Sequence, residues 1–312
     1  MGVTLHWLDD NLQRVSVALA CQRFRGVHNY KNIAKMLDYI NVKYGIKTNQ
    51  IIATVTDNGS NFVKPFKEFT LQESSPAIFM SKVSHSLSDD IDADEESDAD
   101  DDIKIMEIPE SDCDFATGIE PVIMLPKHFR CASHTLNLIA TTDCAKAIAS
   151  NVGVRTKHMH AIEKCRKLWT KARRSGTAEI IMEVLGHTLS YPGETRWNSY
   201  FDSISRILHE DTKPKMAALH QKLGLPNFKD AEIQYLEDYC QILKPLATAL
   251  DILQGEINTY YGYLLPTLIS LANQWEKMKA VFQDPRHFSA NLILNACSQA
   301  LRTRFSAMFE LS

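Results

Sequence analysis

Long apolar runs are missing from this 312-residue chain. None approaches the roughly 20 residues a membrane-crossing helix needs, so no helical span is expected. The opening residues, Met1, Gly2, Val3, Thr4, Leu5 and His6, lack both the basic start and the apolar stretch of a secretory leader, and none is expected. No CxxC pair occurs. The seven cysteines, Cys21, Cys113, Cys131, Cys144, Cys165, Cys240 and Cys297, are odd in number and scattered, which argues against a disulfide framework or a zinc ribbon. Reduced thiols are expected, most of them small core residues. No internal repeat is evident. A composition of 45% hydrophobic and 23% charged residues excludes disorder throughout, and the length suffices for one large or two medium domains.

The net charge of -4 conceals an asymmetry. Between Asp89 and Asp114 stand fourteen Asp/Glu and one Lys, a net of -13; elsewhere 33 Lys/Arg face 24 Asp/Glu, a net of +9. The basicity peaks in Arg155, Lys157, Lys164, Arg166, Lys167, Lys171, Arg173 and Arg174, with only Glu163 against them. Such a cluster points to a polyanion partner, and a solvated helix face is the bland alternative.

Strand signals come first. Val3, Leu5 and Trp7 alternate with Thr4 and His6, Asp9-Asp10-Asn11 form a turn, and Val15, Val17, Leu19 and Cys21 alternate again, which predicts a β-hairpin. From about Asn29 the period becomes helical, with Ile33, Met36, Leu37, Ile40 and Tyr44 on one stripe and Gly45 at the C-terminal cap. The β-branched run Ile51-Ile52-Ala53-Thr54-Val55 predicts a strand buried on both faces of a sheet. It delivers Thr56-Asp57-Asn58-Gly59-Ser60-Asn61 at its C-terminal end, where ligands bind in open α/β sheets. Ser74 to Glu120 have too little apolar surface to offset ordering and predict a disordered acidic insertion. A short strand passing into a helix follows at Phe129 to Ile139. Everything beyond reads as helical, including Ile233 to Leu250 around Pro245 and Leu264 to Trp275 with Pro266 near its start.

Asp57 at the mouth of a strand, followed by glycine and small polar residues, suits a hard cation with oxygen ligands. An Asp that caps the next helix is the simpler alternative. Cys131 and His134 form a CxxH pair, but a zinc site needs about four ligands and no second pair has suitable spacing, so a structural role is expected. Trp169, inside the basic helix, reads as core.

Three ordered motifs carry a resemblance: Val55-Thr56-Asp57-Asn58-Gly59-Ser60-Asn61, then Cys131-Ala132-Ser133-His134-Thr135-Leu136-Asn137-Leu138, then Thr195-Arg196-Trp197-Asn198-Ser199. Together with His6-Trp7-Leu8-Asp9, Leu19-Ala20-Cys21 and His28, they resemble the core of hAT-superfamily DNA transposases and the host proteins derived from them, including the BED-finger group. The likeness is strongest over about 1 to 70 and 128 to 205.

The resemblance implies an α/β ribonuclease-H-like domain split by a helical insertion. In that family a triad of two Asp and one Glu holds two Mg²⁺ ions for phosphoryl transfer on DNA. Asp57 matches the second acid. The first belongs to a strand ahead of the hairpin, where this chain begins, and the third follows the helical insertion. Glu276, in Gln274-Trp275-Glu276-Lys277, does not match the motif for the third acid. One acid cannot clamp two ions about 3.5–4 Å apart, so a truncated, inactive protein with no bound cofactor is expected, Asp57 meeting Mg²⁺ only if completed by other acids.

The first strand is central in that fold, so its absence predicts an incomplete mixed sheet with exposed edges. The expected domains are 1–73 and 121–165 for the ribonuclease-H-like core, 74–120 for the acidic insertion and 166–312 for an all-α insertion domain. The resemblance further implies a nuclear protein. Its DNA binding is expected to be weak and nonspecific, because the base-reading BED finger is absent, and to use the basic helix with Arg196 and Trp197. That Trp can stack on an extruded base or pack where two domains join, the latter being favoured here. Related transposase-derived chains are candidate partners, although the family's C-terminal dimerisation segment is lacking; no membrane and no small-molecule substrate are expected. The alternative is a domesticated interaction or regulatory module in which the helical part binds protein.

Overall fold

The computed structural model describes residues 1–24, 26–70, 123–193, 197–255 and 260–310. The acidic insertion expected at 74–120, Cys113 and Arg196 lie outside them. The described chain is mostly helical with a few short strands. Packing divides it between Phe129 and Arg130. The boundary expected at 165/166 falls instead inside a continuous helix, Val152–Ala172.

In the first unit, β1 (Gly2–Leu8) and β2 (Arg14–Cys21) form the expected antiparallel hairpin, with Leu5 opposite Val17 and Trp7 opposite Val15. Asp9 closes the turn by accepting the N–H groups of Asn11 (2.9 Å) and Gln13 (2.8 Å). Leu12 is forced to φ 60°, a left-handed conformation that a branched side chain resists. α1 (Tyr30–Lys43) starts where Asn29 accepts the N–H of Asn32, and Gly45 follows it at φ 66°. β3 (Thr54–Thr56) leads to α2 (Ser60–Phe69), and β3 pairs with β4 (His128–Arg130). The core of this unit is small: Ala34, Phe66 and Leu125, flanked by Leu37, Phe69 and Ile123.

The strand expected over 51–55 is shorter and less covered than its composition suggests. Thr48–Gln50 form a 3₁₀ turn, pairing begins only at Thr54, and Ile52 and Val55 are 92% and 62% exposed. Among the described residues β3 has one neighbouring strand and no second layer covers Ile52 or Val55. Among the described residues the strands form two separate two-stranded sheets, β1 with β2 and β3 with β4, rather than one mixed sheet.

Beyond Arg130 the regular elements described in the second unit are helical. α3 (Ala132–Leu138) continues through a π-helical turn (Ile139–Asp143) into α4 (Cys144–Ser150). Then come α5 (Val152–Ala172), α6 (Ser175–Leu185), α7 (Trp197–Leu208), α8 (Met216–Leu223), α9 (Asp230–Gln254), α10 (Leu264–Val281) and α11 (Phe288–Arg304). α9 is the axis, packing against α3, α5, α7, α10 and α11. Pro245 sits buried within it and the helix runs on; the carbonyl of exposed Gln241, which loses its helical donor to the proline ring, remains within reach of water. Trp169 and Trp275 are fully buried, and the indole N–H of Trp275 donates to Ile242 O at 2.7 Å. Arg304 grips Asp143 with two bonds, at 2.6 and 3.0 Å, tying α11 to the π-helical turn.

Candidate nucleic-acid interface

α5 carries the basic cluster, and its sequence sorts the cluster around the helix. Asn151 caps it by accepting the N–H of Val154 at 3.1 Å. Val154, Ala161, Ile162, Cys165, Leu168 and Trp169 recur at helical spacing and are buried, which turns the intervening positions outward. His158 also faces inward, 2.9 Å from the Tyr235 hydroxyl; burial first, and the Arg166 charge second, lower its pKa to about 4.

At 100° per residue, Arg155, Arg166 and Arg173 fall along one edge, spread over about 27 Å of helix axis. All three are exposed. Arg173 lies with its guanidinium 4.5 Å from the Tyr191 ring centre, a stacked arrangement that holds the side chain out while leaving its N–H groups free to donate.

The lysines on the opposite edge are differently placed. Lys164 donates to Glu232 at 2.5 Å and to Asn227 O at 2.8 Å, and Lys171 donates to Leu223 O. These two fasten α5 to the region of α8 and α9. Lys167 pairs with Glu163 at 2.7 Å in solvent, a contact of small net worth. Lys157 and Arg174 are exposed, and among the described residues neither has an acidic partner. Of the eight cations expected to meet phosphate, two are thus committed to the fold, and Arg155, Arg166 and Arg173 form the outward row.

Trp197 is the first residue of α7, 8% exposed, its ring 5.5 Å from that of Phe201. It packs in the core. Sequence reasoning missed Tyr191 and the inward turn of His158. Plotting α5 as a wheel would have separated the arginine and lysine edges, whereas a count of charges does not.

Asp57, in the other unit, is exposed and its Oδ1 accepts the N–H of Gly59 at 3.1 Å. A Cβ at Gly59 would stand 3.2 Å from that oxygen, so glycine keeps the turn into α2 open. The Thr56 hydroxyl donates to Asp57 O at 2.8 Å, which leaves its oxygen to accept from His128 Nε2, also at 2.8 Å; the His128 ring stacks on Phe66. A pair of Mg²⁺ ions needs several convergent carboxylates. Among the described residues no three His, Cys, Asp or Glu side chains come together to hold a metal. Cys131 precedes α3 and its carbonyl accepts from the Thr135 hydroxyl and N–H. Cys131 and His134 are both half-buried at the start of that helix.

No protein-family model matches the chain. No curated protein matches it.

Proposed function

We propose that this chain is a hAT-transposase-like protein whose helical unit binds DNA weakly through its phosphate backbone and which performs no strand chemistry of its own. The observation that carries the reading is the exposed row Arg155, Arg166 and Arg173 on α5, set apart from the lysines that the fold uses internally. Arginine presents several donors in a planar fork and suits phosphate oxygens. A row without a base-reading element gives affinity that depends on salt and little on sequence.

The remainder of the reading rests on order along the chain. A hairpin, a helix and a short strand bearing Asp57 at its C-terminal end stand in the succession that a ribonuclease-H-like core would have, and a helical unit follows. Asp57 is engaged with the Gly59 amide, which supports a role in closing the turn. The nucleus is the compartment this reading implies.

Duplex binding measured by fluorescence anisotropy across a salt series tests it. The wild-type chain binds at low salt with a steep negative slope of log affinity against log salt. Arg155→Ala/Arg166→Ala/Arg173→Ala reduces the slope by about 2 to 3, near 0.9 per lost phosphate contact. Undetectable binding at low salt, or a slope untouched by the triple substitution, overturns the proposal.

A further inference from the structure

We propose that the nucleic acid held by α5 is a B-form duplex and that the helix lies across its grooves, with Arg155 and Arg166 on the two rims of the major groove and Arg166 and Arg173 on the two rims of the minor groove. This rests on the phosphate-binding reading above and adds to it the form of the ligand.

The spacing of the row carries the argument. Arg173 follows α5 in right-handed helical conformation, so the three arginines stand on one continuous helical track. Arg155 and Arg166 are eleven residues apart, and Arg166 and Arg173 are seven apart. At 1.5 Å per residue the gaps are about 16.5 and about 10.5 Å, and they differ by about 6 Å. The major and minor grooves of B-form DNA, about 12 and about 6 Å wide, differ by the same amount. Each gap exceeds its groove by about 4.5 Å, which takes the guanidinium groups past the groove edges and onto the phosphates that flank them. Three cations thus meet three successive crossings of the backbone, and the middle one serves both grooves.

The residues between the arginines suit this placement. Met159, 60% exposed, stands in the wider gap and exposed Thr170 in the narrower one; both are uncharged and neither repels a phosphate. Glu163, the only acid of the helix, pairs with Lys167. The Tyr191 ring holds Arg173 outward at one end of the row. Other nucleic acids set other intervals. A-form RNA has a deep, narrow major groove and a wide, shallow minor groove, so its backbone crossings fall at different separations. A single strand has no grooves and follows a line of cations by charge, so unequal gaps bring it no advantage.

Fluorescence anisotropy at low salt on the full chain compares a DNA duplex, an RNA duplex of the same sequence and length, and one DNA strand alone. The wild type binds the DNA duplex about fivefold or more tightly than the RNA duplex. The decisive variant is Arg166→Ala/Thr170→Arg, which keeps the net charge, alters only exposed positions and changes the gaps to about 22.5 and about 4.5 Å. It loses about tenfold on the DNA duplex and stays within about twofold on the single strand, with the helical circular dichroism unchanged. Arg166→Lys, which leaves a cation in register, stays within about threefold on the duplex. A relocated variant as tight as wild type on the duplex, an RNA duplex bound as tightly as DNA or more so, or an equal loss on duplex and single strand each overturns the proposal. In those cases a salt slope that still falls on removing the three arginines leaves the DNA-binding reading standing without it. A wild-type chain that binds no duplex at low salt overturns both.

Discussion

Lys164 reaches Glu232 at 2.5 Å, and the two side chains are only 15% and 9% exposed. Burial alone would push the Glu232 carboxyl upward, but the hydrogen bond from Lys164 and the Lys229 amide outweigh it and hold the group below its usual range. An acid so placed depends on its partner, because a nearly buried carboxylate without a cation is costly.

Lys164→Ala is therefore expected to destabilise the chain by about 2 kcal/mol, below the full cost of breaking a wholly buried pair, while leaving duplex affinity within about twofold. Arg155→Ala should do the reverse, changing stability by less than about 0.5 kcal/mol and lowering affinity. Urea denaturation and anisotropy on the two variants separate fold from interface.

His158 makes stability depend on pH. Its native pKa of about 4 lies below the ordinary 6.5 because burial penalises the imidazolium. The unfolded chain takes up the proton first, so the contribution is complete above about pH 6.5 and is lost as pH falls toward 4. The loss amounts to roughly 2–4 kcal/mol. Urea midpoints between pH 7 and 4 should fall for the wild type and fall less for His158→Gln, which still offers Tyr235 an oxygen. Parallel curves would rule this out.

Leu12 is 75% exposed and held at φ 60°. Leu12→Gly removes the Cβ that resists this conformation and loses no packing. The gain, reduced by the greater freedom of unfolded glycine, should be about 0.5 kcal/mol. Slower amide exchange across β1 and β2 would report it, and unchanged or faster exchange would contradict it.

Thiol reactivity should follow burial. Cys21 is exposed, whereas burial lifts Cys165 and Cys240 to about 12. Since the thiolate is the reacting form, brief alkylation of native protein near pH 8 should label Cys21 and spare Cys165 and Cys240 until denaturant is added. Peptide mass spectrometry reads both states; equal labelling of all three in native protein would contradict the packing of α5 on α9.

What could be read from the sequence was local. The stripe Ile33, Met36, Leu37, Ile40 and the glycine after it located α1 to within a residue, because helix periodicity and caps act over a few positions. Trp169 read as core because it shares a spacing with its apolar neighbours. The run Ile51 to Val55 misled, since a β-branched stretch looks the same whether or not distant segments come to cover it. Likewise the eight cations of α5 were visible, but which of them the fold claims depended on Glu232 and Leu223, more than fifty residues away.

The axial position of α9 also governs the order of events at the ribosome. α3, α5 and α7 leave the exit tunnel before the helix they pack on exists, and α10 and α11 arrive after it. Until synthesis passes Gln254, α3, α5 and α7 lack this shared neighbour, and such nascent apolar surface is where chaperones act. A translational pause between α7 and α9 would lengthen that vulnerable interval, whereas one after α9 would not.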